Sequence, residues 1–307
     1  MTMNKIHGFN LDMLRLCYEA EEPQLLDYFT PFNVGEKIDL YYFYLVRIEG
    51  KYYDYVYNIC YEEQGQNKLF GELRFGLNKG SAEANTHING NRKVWLSVHN
   101  RVLYSDELYY LGFISDALGL ELHNITTLDI ALDMSKNIPQ YLRRLIKDKS
   151  LGVILNGKRI KDRTQDRPEI LYIRSGSLDT EKYLTVNIKE KKAINDKSKG
   201  RTLTAYNKLA EIANSSAKKY ISDKYEQPKK IYRLEVHLNN EEIKDYIKRT
   251  CTELNINTVF DINFLYNMYI DTLNHIIRFD YEGKKITWEN IIDGVITTTP
   301  ANIHKKR

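Results

Sequence analysis

Polar side chains recur at every second position in several short segments, and their types suit acid–base and metal chemistry. In the segment 201–208, Thr204, Tyr206 and Lys208 share one face of a predicted strand. A phenol has a pKa of about 10 and is a weak nucleophile unaided. A neighbouring ammonium favours the phenolate, so the spacing makes Tyr206 a candidate nucleophile and Lys208 its activating cation.

Two aspartates lie on one face of the predicted strand 127–133. Asp129 and Asp133 alternate with apolar side chains, and four residues of extended chain separate them by roughly 13 Å. One ion cannot take both as direct ligands at that distance. We expect one aspartate to bind metal. The other would hold a basic residue or a residue that contacts a metal ligand without touching the metal.

A third predicted strand, 232–238, carries Arg233, Glu235 and His237 on the face opposite its apolar side chains. A carboxylate in mid-strand is costly to remove from water unless it is paired or bound to metal. Glu235 is therefore a candidate metal ligand, and Arg233 is a candidate for gripping phosphate.

A fourth strand-like segment, 95–99, points Ser97 and His99 the same way. Oxygen-rich sites suit Mg²⁺ or Mn²⁺, and an imidazole ligand favours Mn²⁺. His99 is a candidate metal ligand on this ground. A strand-end histidine with a backbone partner fits the same pattern.

The elements that must position these residues alternate between strands and helices. A helix is predicted from 10 to 29, a hairpin from 37 to 60, and helices again from 241 to 279. This order favours an α+β fold, in which helices flank a mainly antiparallel central sheet and the C-terminal part is helical. We divide the chain into an N-terminal segment of unclear role, a catalytic domain, and a helical C-terminal region with a basic tail, at residues 1–61, 62–250 and 251–307.

Basic residues concentrate in one stretch of the chain. Residues 141–201 hold 17 Lys and Arg against 8 Asp and Glu, although the net charge of the whole chain is only +4. Phosphate backbones are natural partners of such a surface, and a solvated lysine-rich loop is the alternative. The stretch supplies Lys158, Arg159 and Arg201 as candidate DNA contacts beside Arg233.

Several classes of protein are not expected from this sequence. No P-loop or dinucleotide-binding glycine motif occurs in it. No apolar run reaches the eighteen or so residues that a membrane span needs. The three cysteines lie far apart and lack metal-ligand spacing. A reducing cytoplasm fits these features.

The candidate segments also occur in an order that resembles a known family. The sequence resembles the rolling-circle replication initiators of small plasmids, specifically the trans-acting family typified by the staphylococcal tetracycline-resistance plasmids. The matching pieces are residues 128–133, residues 205–208 with Glu211, and residues 232–236 with Leu238. The resemblance extends over roughly residues 69–247.

This resemblance implies an HUH-like nickase fold, which conjugative relaxases share. It also implies that Tyr206 is the nucleophile and that Asp129, Asp133 and Glu235 belong to a metal site. The strand that corresponds to 95–99 ends in an Arg-Val-Glu-Phe type of run in the family, whereas Ser97 and His99 stand here. The loop between 179 and 201 is longer than expected, and residues 1–61 have no clear match.

The expected function is therefore replication initiation by a tyrosine nickase that uses Mg²⁺ or Mn²⁺. It would nick one strand at a single-stranded site of an origin hairpin, leaving a 5′-phosphotyrosine and a free 3′-OH. A host helicase and a second copy of the chain are the expected partners. The alternatives are a relaxase with the same chemistry, a non-catalytic origin-binding protein, and a hydrolytic nuclease that uses Asp129 and Glu235 with water.

Overall fold

The computed structural model describes residues 5–22, 28–77, 93–161, 167–174, 184–196, 199–216 and 218–293. The chain forms two compact units. The first unit contains residues 1–10, 129–242 and 261–307, and the second contains residues 11–128 and 243–260. The predicted basic tail and part of the loop between 179 and 201 lie outside the described residues. The functional division at 61 and 250 stays a prediction, and the compact units follow other boundaries.

Antiparallel strands build the second unit. Their order is β7-β1-β6-β5-β4-β3-β2, and the registers from β1 through β6 to β2 are antiparallel. The strands β1 and β7 contribute to both units, because the division falls between residues 10 and 11 and between residues 128 and 129. The bounds are β1 Ile6–Ala20, β2 Lys37–Leu40, β3 Phe43–Ile48, β4 Tyr53–Glu63, β5 Gln66–Leu77, β6 Lys93–Val98 and β7 Leu120–Met134.

The helix predicted from 10 to 29 is wrong, because this part of the chain forms strand β1. Its residues are mostly good helix formers, which favoured the helix on propensity. Pairing with β6 overrides that propensity: Arg15 to Glu19 lie opposite Ser97 to Lys93. Leu14, Leu16 and Tyr18 are fully buried at strand spacing.

The first unit contains two sheets. One has the order β10-β11-β12-β13-β7-β1, and the smaller has the order β15-β14-β8-β9. The pairs β10–β11, β11–β12 and β12–β13 are antiparallel. The bounds are β8 Gly152–Leu155, β9 Lys158–Arg159, β10 Ile170–Arg174, β11 Leu184–Lys189, β12 Thr202–Asn207, β13 Tyr232–Asn239, β14 Ile277–Tyr281 and β15 Lys284–Ile286.

Helices cover the strands that carry the candidate residues. Helix α2 packs against β11, β12 and β13, and α8 packs against β12, β13 and β14. Leu203, Ala205, Leu234 and Val236 of the covered strands are fully buried. The bounds are α1 Tyr110–Ala117, α2 Ile138–Lys147, α3 Lys191–Asn195, α4 Lys208–Glu211, α5 Lys219–Lys224, α6 Asn240–Thr250, α7 Ile256–Phe260, α8 Ile262–Ile276 and α9 Trp288–Asp293.

The predicted α+β fold with a mainly antiparallel sheet is confirmed. The predicted helix to 279 is too long, because α8 ends at Ile276. A hairpin follows, with Glu282 and Gly283 both at positive φ in its two-residue turn, the backbone that a type I′ turn requires. Among the described residues, no helix combines the length and the apolar character that crossing a bilayer demands.

Candidate functional site

The candidate nucleophile lies against a carboxylate of the neighbouring strand. In the antiparallel register of β12 and β13, Thr204 is opposite Glu235 and Tyr206 is opposite Arg233. Tyr206 and Glu235 are thus diagonal neighbours, a spacing that long side chains bridge. The Tyr206 hydroxyl donates a hydrogen bond of 3.1 Å to Oε2 of Glu235. Glu235 keeps 18% of its side-chain surface exposed, so the pair is accessible from solvent.

The second pair on this part of the sheet joins Asp129 of β7 to His237 of β13. Nδ1 of His237 lies 2.5 Å from Oδ1 of Asp129, and its Nε2 lies 3.2 Å from Oδ1 of Asn239. Both partner atoms are acceptors, so a doubly protonated ring satisfies both contacts. Burial acts to lower the pKa of His237, but Asp129, Asn239 and Glu235 outweigh burial and raise the pKa above its ordinary value.

The sequence pattern placed His237 on the same strand face as Glu235, but no functional role was predicted for it. Its spacing of two residues from Glu235 was the feature that could have indicated a role at the site. Asn239 continues the contact network, because its Nδ2 donates to the carbonyl of Gly200 at 3.1 Å. Gly200 has a φ of 75°, a conformation that favours glycine. The imidazole of His237 is therefore fixed on both ring nitrogens.

Asp133 and Arg233 form a buried ion pair instead of the roles expected of them. Nε and Nη2 of Arg233 each lie 2.7 Å from an oxygen of Asp133, and both side chains are 0% exposed. The guanidinium of Arg233 is fully buried and thus not exposed to a DNA phosphate, and both oxygens of Asp133 are engaged by Arg233. The structure realises the sequence alternative in which one aspartate holds a basic residue. Nη1 of Arg233 also lies 3.7 Å from Oε2 of Glu235.

A second tyrosine completes the buried cluster. The Tyr225 hydroxyl donates to Oδ2 of Asp133 at 2.9 Å and accepts from Nδ2 of Asn10 at 2.6 Å. Its ring stacks on His7 with the ring centroids 5.7 Å apart. Burial raises the pKa of Tyr225 strongly, and the charge of Asp133 raises it further. Tyr225 is therefore held as a neutral phenol.

Lys208 lies near the ring of Tyr206, as expected, and it also forms an ion pair with Glu211. Its Nζ lies 5.7 Å from the ring centroid of Tyr206 and 2.8 Å from Oε2 of Glu211. The side chain is 2% exposed. Glu211 pairs with the charge of Lys208, and the role of Lys208 in activating Tyr206 stays a prediction.

His99 belongs to the second unit, whereas the other candidate ligands belong to the first. It follows the last residue of β6. Its backbone N–H donates to the carbonyl of Phe70 at 2.8 Å, and its carbonyl accepts from the N–H of Val102 at 2.9 Å. These bonds match the sequence alternative of a strand-end histidine, and its metal role stays a prediction.

Arg201 is also an internal residue, contrary to its expected contact with DNA. Its Nη1 lies 3.0 Å from Oε1 of Glu190, and its backbone N–H donates to Oε2 at 2.8 Å. Nε2 of His275 lies 2.9 Å from the same carboxylate. Burial acts to raise the pKa of Glu190, but His275 and Arg201 lower it to about 2. Lys158 and Arg159, by contrast, are exposed on β9.

In the first unit, the carboxylates of Asp129 and Glu235 stay candidate ligands for the expected divalent ion. Within the described ranges, no three His, Cys, Asp or Glu side chains are grouped around a common metal position. The donor chemistry still fits Mg²⁺ or Mn²⁺, which bind through one or two carboxylates and complete their shells with water and substrate phosphate. Asp129 is additionally oriented by His237, as the carboxylates of metal sites commonly are.

Comparison with known proteins yields one informative match. No family model matches the chain, and no curated protein does. The rolling-circle replication initiator protein from Geobacillus stearothermophilus is similar in structure, with a TM-score of 0.50 and 14% sequence identity. The match covers 94% of this chain and 97% of that one. The two chains share a fold. This confirms the fold that the sequence resemblance implied.

Proposed function

We propose that this protein initiates rolling-circle replication by nicking one DNA strand with the hydroxyl of Tyr206. The observation that carries the proposal is the 3.1 Å hydrogen bond from that hydroxyl to Glu235, in a pair that keeps solvent access. A phenol that donates to a carboxylate at an accessible position is poised to lose its proton as it attacks. The fold shared with a replication initiator supports the choice of DNA as substrate.

In the proposed reaction, a bond forms between the phenol oxygen of Tyr206 and the scissile phosphorus. The bond between phosphorus and the 3′ oxygen breaks, the phenol proton moves to Glu235, and the departing 3′ oxygen takes up a proton from water. The products are a 5′-phosphotyrosine and a free 3′-OH. One phosphate ester replaces another, so strand closure by the reverse reaction needs no ATP.

The proton transfer accompanies the attack and does not precede it. A phenol and a carboxyl group differ by roughly six pKa units, so complete transfer beforehand would cost about 8 kcal/mol. As the bond to phosphorus forms, the phenol oxygen becomes more acidic and Glu235 becomes an adequate base. His237 holds Asp129 through Nδ1 and is itself held by Asn239 through Nε2.

A divalent ion is part of the proposal. Asp129 and Glu235 would hold it, and when bound it supplies positive charge that neutralises the scissile phosphate. The preference between Mg²⁺ and Mn²⁺, the host helicase and the homodimer stay predictions. The cytoplasmic location stays one as well.

The experiment that tests the function looks for a covalent adduct. The full chain is incubated with Mn²⁺ and a random-sequence pool of single-stranded oligonucleotides labelled at the 3′ end, and a denaturing gel separates protein from DNA. The wild type should give a labelled protein band. The Tyr206→Phe variant should give none, whereas Tyr172→Phe, which alters an exposed tyrosine of the same unit, should resemble the wild type.

Each alternative function predicts a different outcome of that assay. A hydrolytic nuclease shortens the oligonucleotides without labelling the protein. A non-catalytic origin-binding protein retains the pool on a native gel and cuts nothing. Adduct that persists in Tyr206→Phe would mean that another tyrosine is the nucleophile. A relaxase gives the same adduct, and only failure of the gene to support plasmid replication would identify it.

A further inference from the structure

A basic cavity lies in the first unit, outside the residues around Tyr206. Its volume is about 200 Å³, and its lining includes Lys158, Arg159, Arg167 and Lys191. Glu169 is the acidic member of the lining. A single water needs only about 10–15 Å³, so the cavity takes a polyatomic group. Its lining has an excess of three positive charges.

The lining comes from separate segments that the fold brings together. Strand β9 supplies Lys158 and Arg159, the segment before β10 supplies Arg167, and α3 supplies Lys191. The sequence stretch 141–201 is basic as a whole, but only the fold selects which of its cations share one space. Of the earlier DNA candidates, Lys158 and Arg159 belong here and Arg201 does not.

Arg159 is held in place by a buried partner. Its Nη2 lies 2.8 and 2.6 Å from the two carboxylate oxygens of Asp280, while 59% of its side chain is exposed. A Cβ at Gly152 would lie within 2.6 Å of three atoms of that carboxylate. The glycine thus makes room for Asp280. A guanidinium fixed on one side and open on the other loses little entropy when it binds an anion.

The hairpin turn that precedes these residues has a defined shape. Asn156 and Gly157 both have positive φ, and Leu155 pairs with Lys158 across the turn. This is the type I′ geometry, which fixes the register of a two-residue hairpin. Nδ2 of Asn156 also donates to the carbonyl of Lys189 at 3.2 Å. The base of the cavity is therefore rigid.

We propose that this cavity binds a phosphate group of the DNA backbone and anchors the strand away from the bond that is cut. The proposal rests on the proposed function, which makes DNA the substrate. Lysine and arginine side chains that line one cavity can donate charge-assisted hydrogen bonds to the oxygens of a phosphate group. Contacts of this kind position DNA without reading its sequence. The anchor raises affinity for all sequences alike and takes no part in the chemistry.

The test compares two variants that each remove two positive charges from the same unit. Lys158→Gln with Lys191→Gln alters the cavity, and Lys284→Gln with Lys285→Gln alters exposed lysines of strand β15 that do not line it. Binding of a fluorescent single-stranded oligonucleotide pool is measured by anisotropy at several salt concentrations. The loss of one phosphate contact reduces the slope of log affinity against log salt by about 0.7 to 0.9.

We expect the cavity variant to lose about tenfold in affinity and to show that smaller salt slope. The control variant should keep the slope of the wild type. Equal changes in the two variants would overturn the proposal, because they would indicate a diffuse charge effect. Melting temperatures equal to that of the wild type in both variants would show that unfolding does not cause the change in affinity.

Two further arms separate this proposal from its rivals. Inorganic phosphate added at constant ionic strength should weaken DNA binding of the wild type and not of the cavity variant. If inorganic phosphate binds the wild type while DNA affinity is the same in both proteins, the cavity serves a free phosphate compound and the DNA anchor is wrong. At saturating oligonucleotide, covalent adduct should form equally in both. Absence of adduct in every protein would defeat the proposed function without touching the binding result.

Discussion

Two tyrosine–carboxylate pairs occupy the same part of the first unit and differ in depth. Tyr206 donates to Glu235 at 3.1 Å, and Tyr225 donates to Asp133 at 2.9 Å. Glu235 keeps 18% of its side-chain surface exposed, whereas Asp133 keeps none. The hydrogen bonds are alike, but only the pair of Tyr206 and Glu235 keeps solvent access.

Arg233 lies between the two pairs and belongs to the buried one. Its two short contacts go to Asp133, and its contact to Glu235 is the longer 3.7 Å. Arg233 therefore neutralises the buried carboxylate of Asp133 at short range, and it lies farther from Glu235. The comparison separates a carboxylate that is fully buried on a guanidinium from one that keeps solvent access beside a phenol.

The largest effect is expected when the accessible carboxylate loses its basicity. Glu235→Gln keeps the size of the side chain and should slow adduct formation by about 100- to 10,000-fold, the usual contribution of a positioned base. DNA affinity in the absence of reaction should stay within about threefold of the wild type. A rate within tenfold of the wild type would mean that Glu235 does not take the proton.

The next largest effect concerns the buried ion pair between Asp133 and Arg233. Asp133→Asn leaves the guanidinium of Arg233 buried without its counter-charge, so the free energy of unfolding should fall by about 3–5 kcal/mol, measured by urea denaturation. The double variant Asp133→Leu with Arg233→Met removes both charges and should recover part of that loss. A single variant as stable as the wild type would contradict the closed ion pair.

A third carboxylate, Glu190, extends the comparison to pH. Its pKa is lowered to about 2 in the folded chain, from about 4.5 when unfolded. The stabilisation from Glu190 is therefore present above pH 4.5 and is lost as the pH falls towards 2. Its full size is on the order of 3 kcal/mol. Glu190→Gln should lower the free energy of unfolding at pH 7 and narrow its difference from the wild type below pH 4.5. A difference that does not vary with pH would contradict this.

The smallest effect comes from removing the hydroxyl of the buried tyrosine. Tyr225→Phe should cost about 1–2 kcal/mol of stability, because an oxygen of Asp133 and the amide of Asn10 lose a buried partner. Adduct formation should persist below the new melting temperature. Loss of adduct in a folded Tyr225→Phe protein would remove the distinction between the two pairs.

The sequence predicted which residues share a strand face, but it did not predict how deeply each of them is buried. A period of two placed Glu235 and His237 on one face and Asp129 and Asp133 on another, and the fold brings these faces together. The period does not tell how deeply a position lies under its neighbours. Arg233 and Arg201 were therefore expected at the surface and are found inside. Arg233 lies on Asp133, 100 residues away, and Arg201 lies on Glu190, 11 residues away.

The errors in secondary structure have a related cause. Strand β1 contains leucine, methionine, arginine and alanine, which form helices readily on their own, and its strand state comes from pairing with β6. The hairpin after Ile276 turns on Glu282 and Gly283, whereas the usual signal for such a turn is asparagine or aspartate before the glycine. The Asn156–Gly157 turn carried that signal.

Mapping the DNA-linked residue tests the central claim most directly. Trypsin cleaves after Arg201 and after Lys208, and the peptide 202–208 contains Tyr206 as its sole tyrosine. After the adduct is digested with nuclease and trypsin, mass spectrometry should find the nucleotide mass on peptide 202–208. The same mass on a peptide with Tyr225, or on any other peptide, would contradict the account.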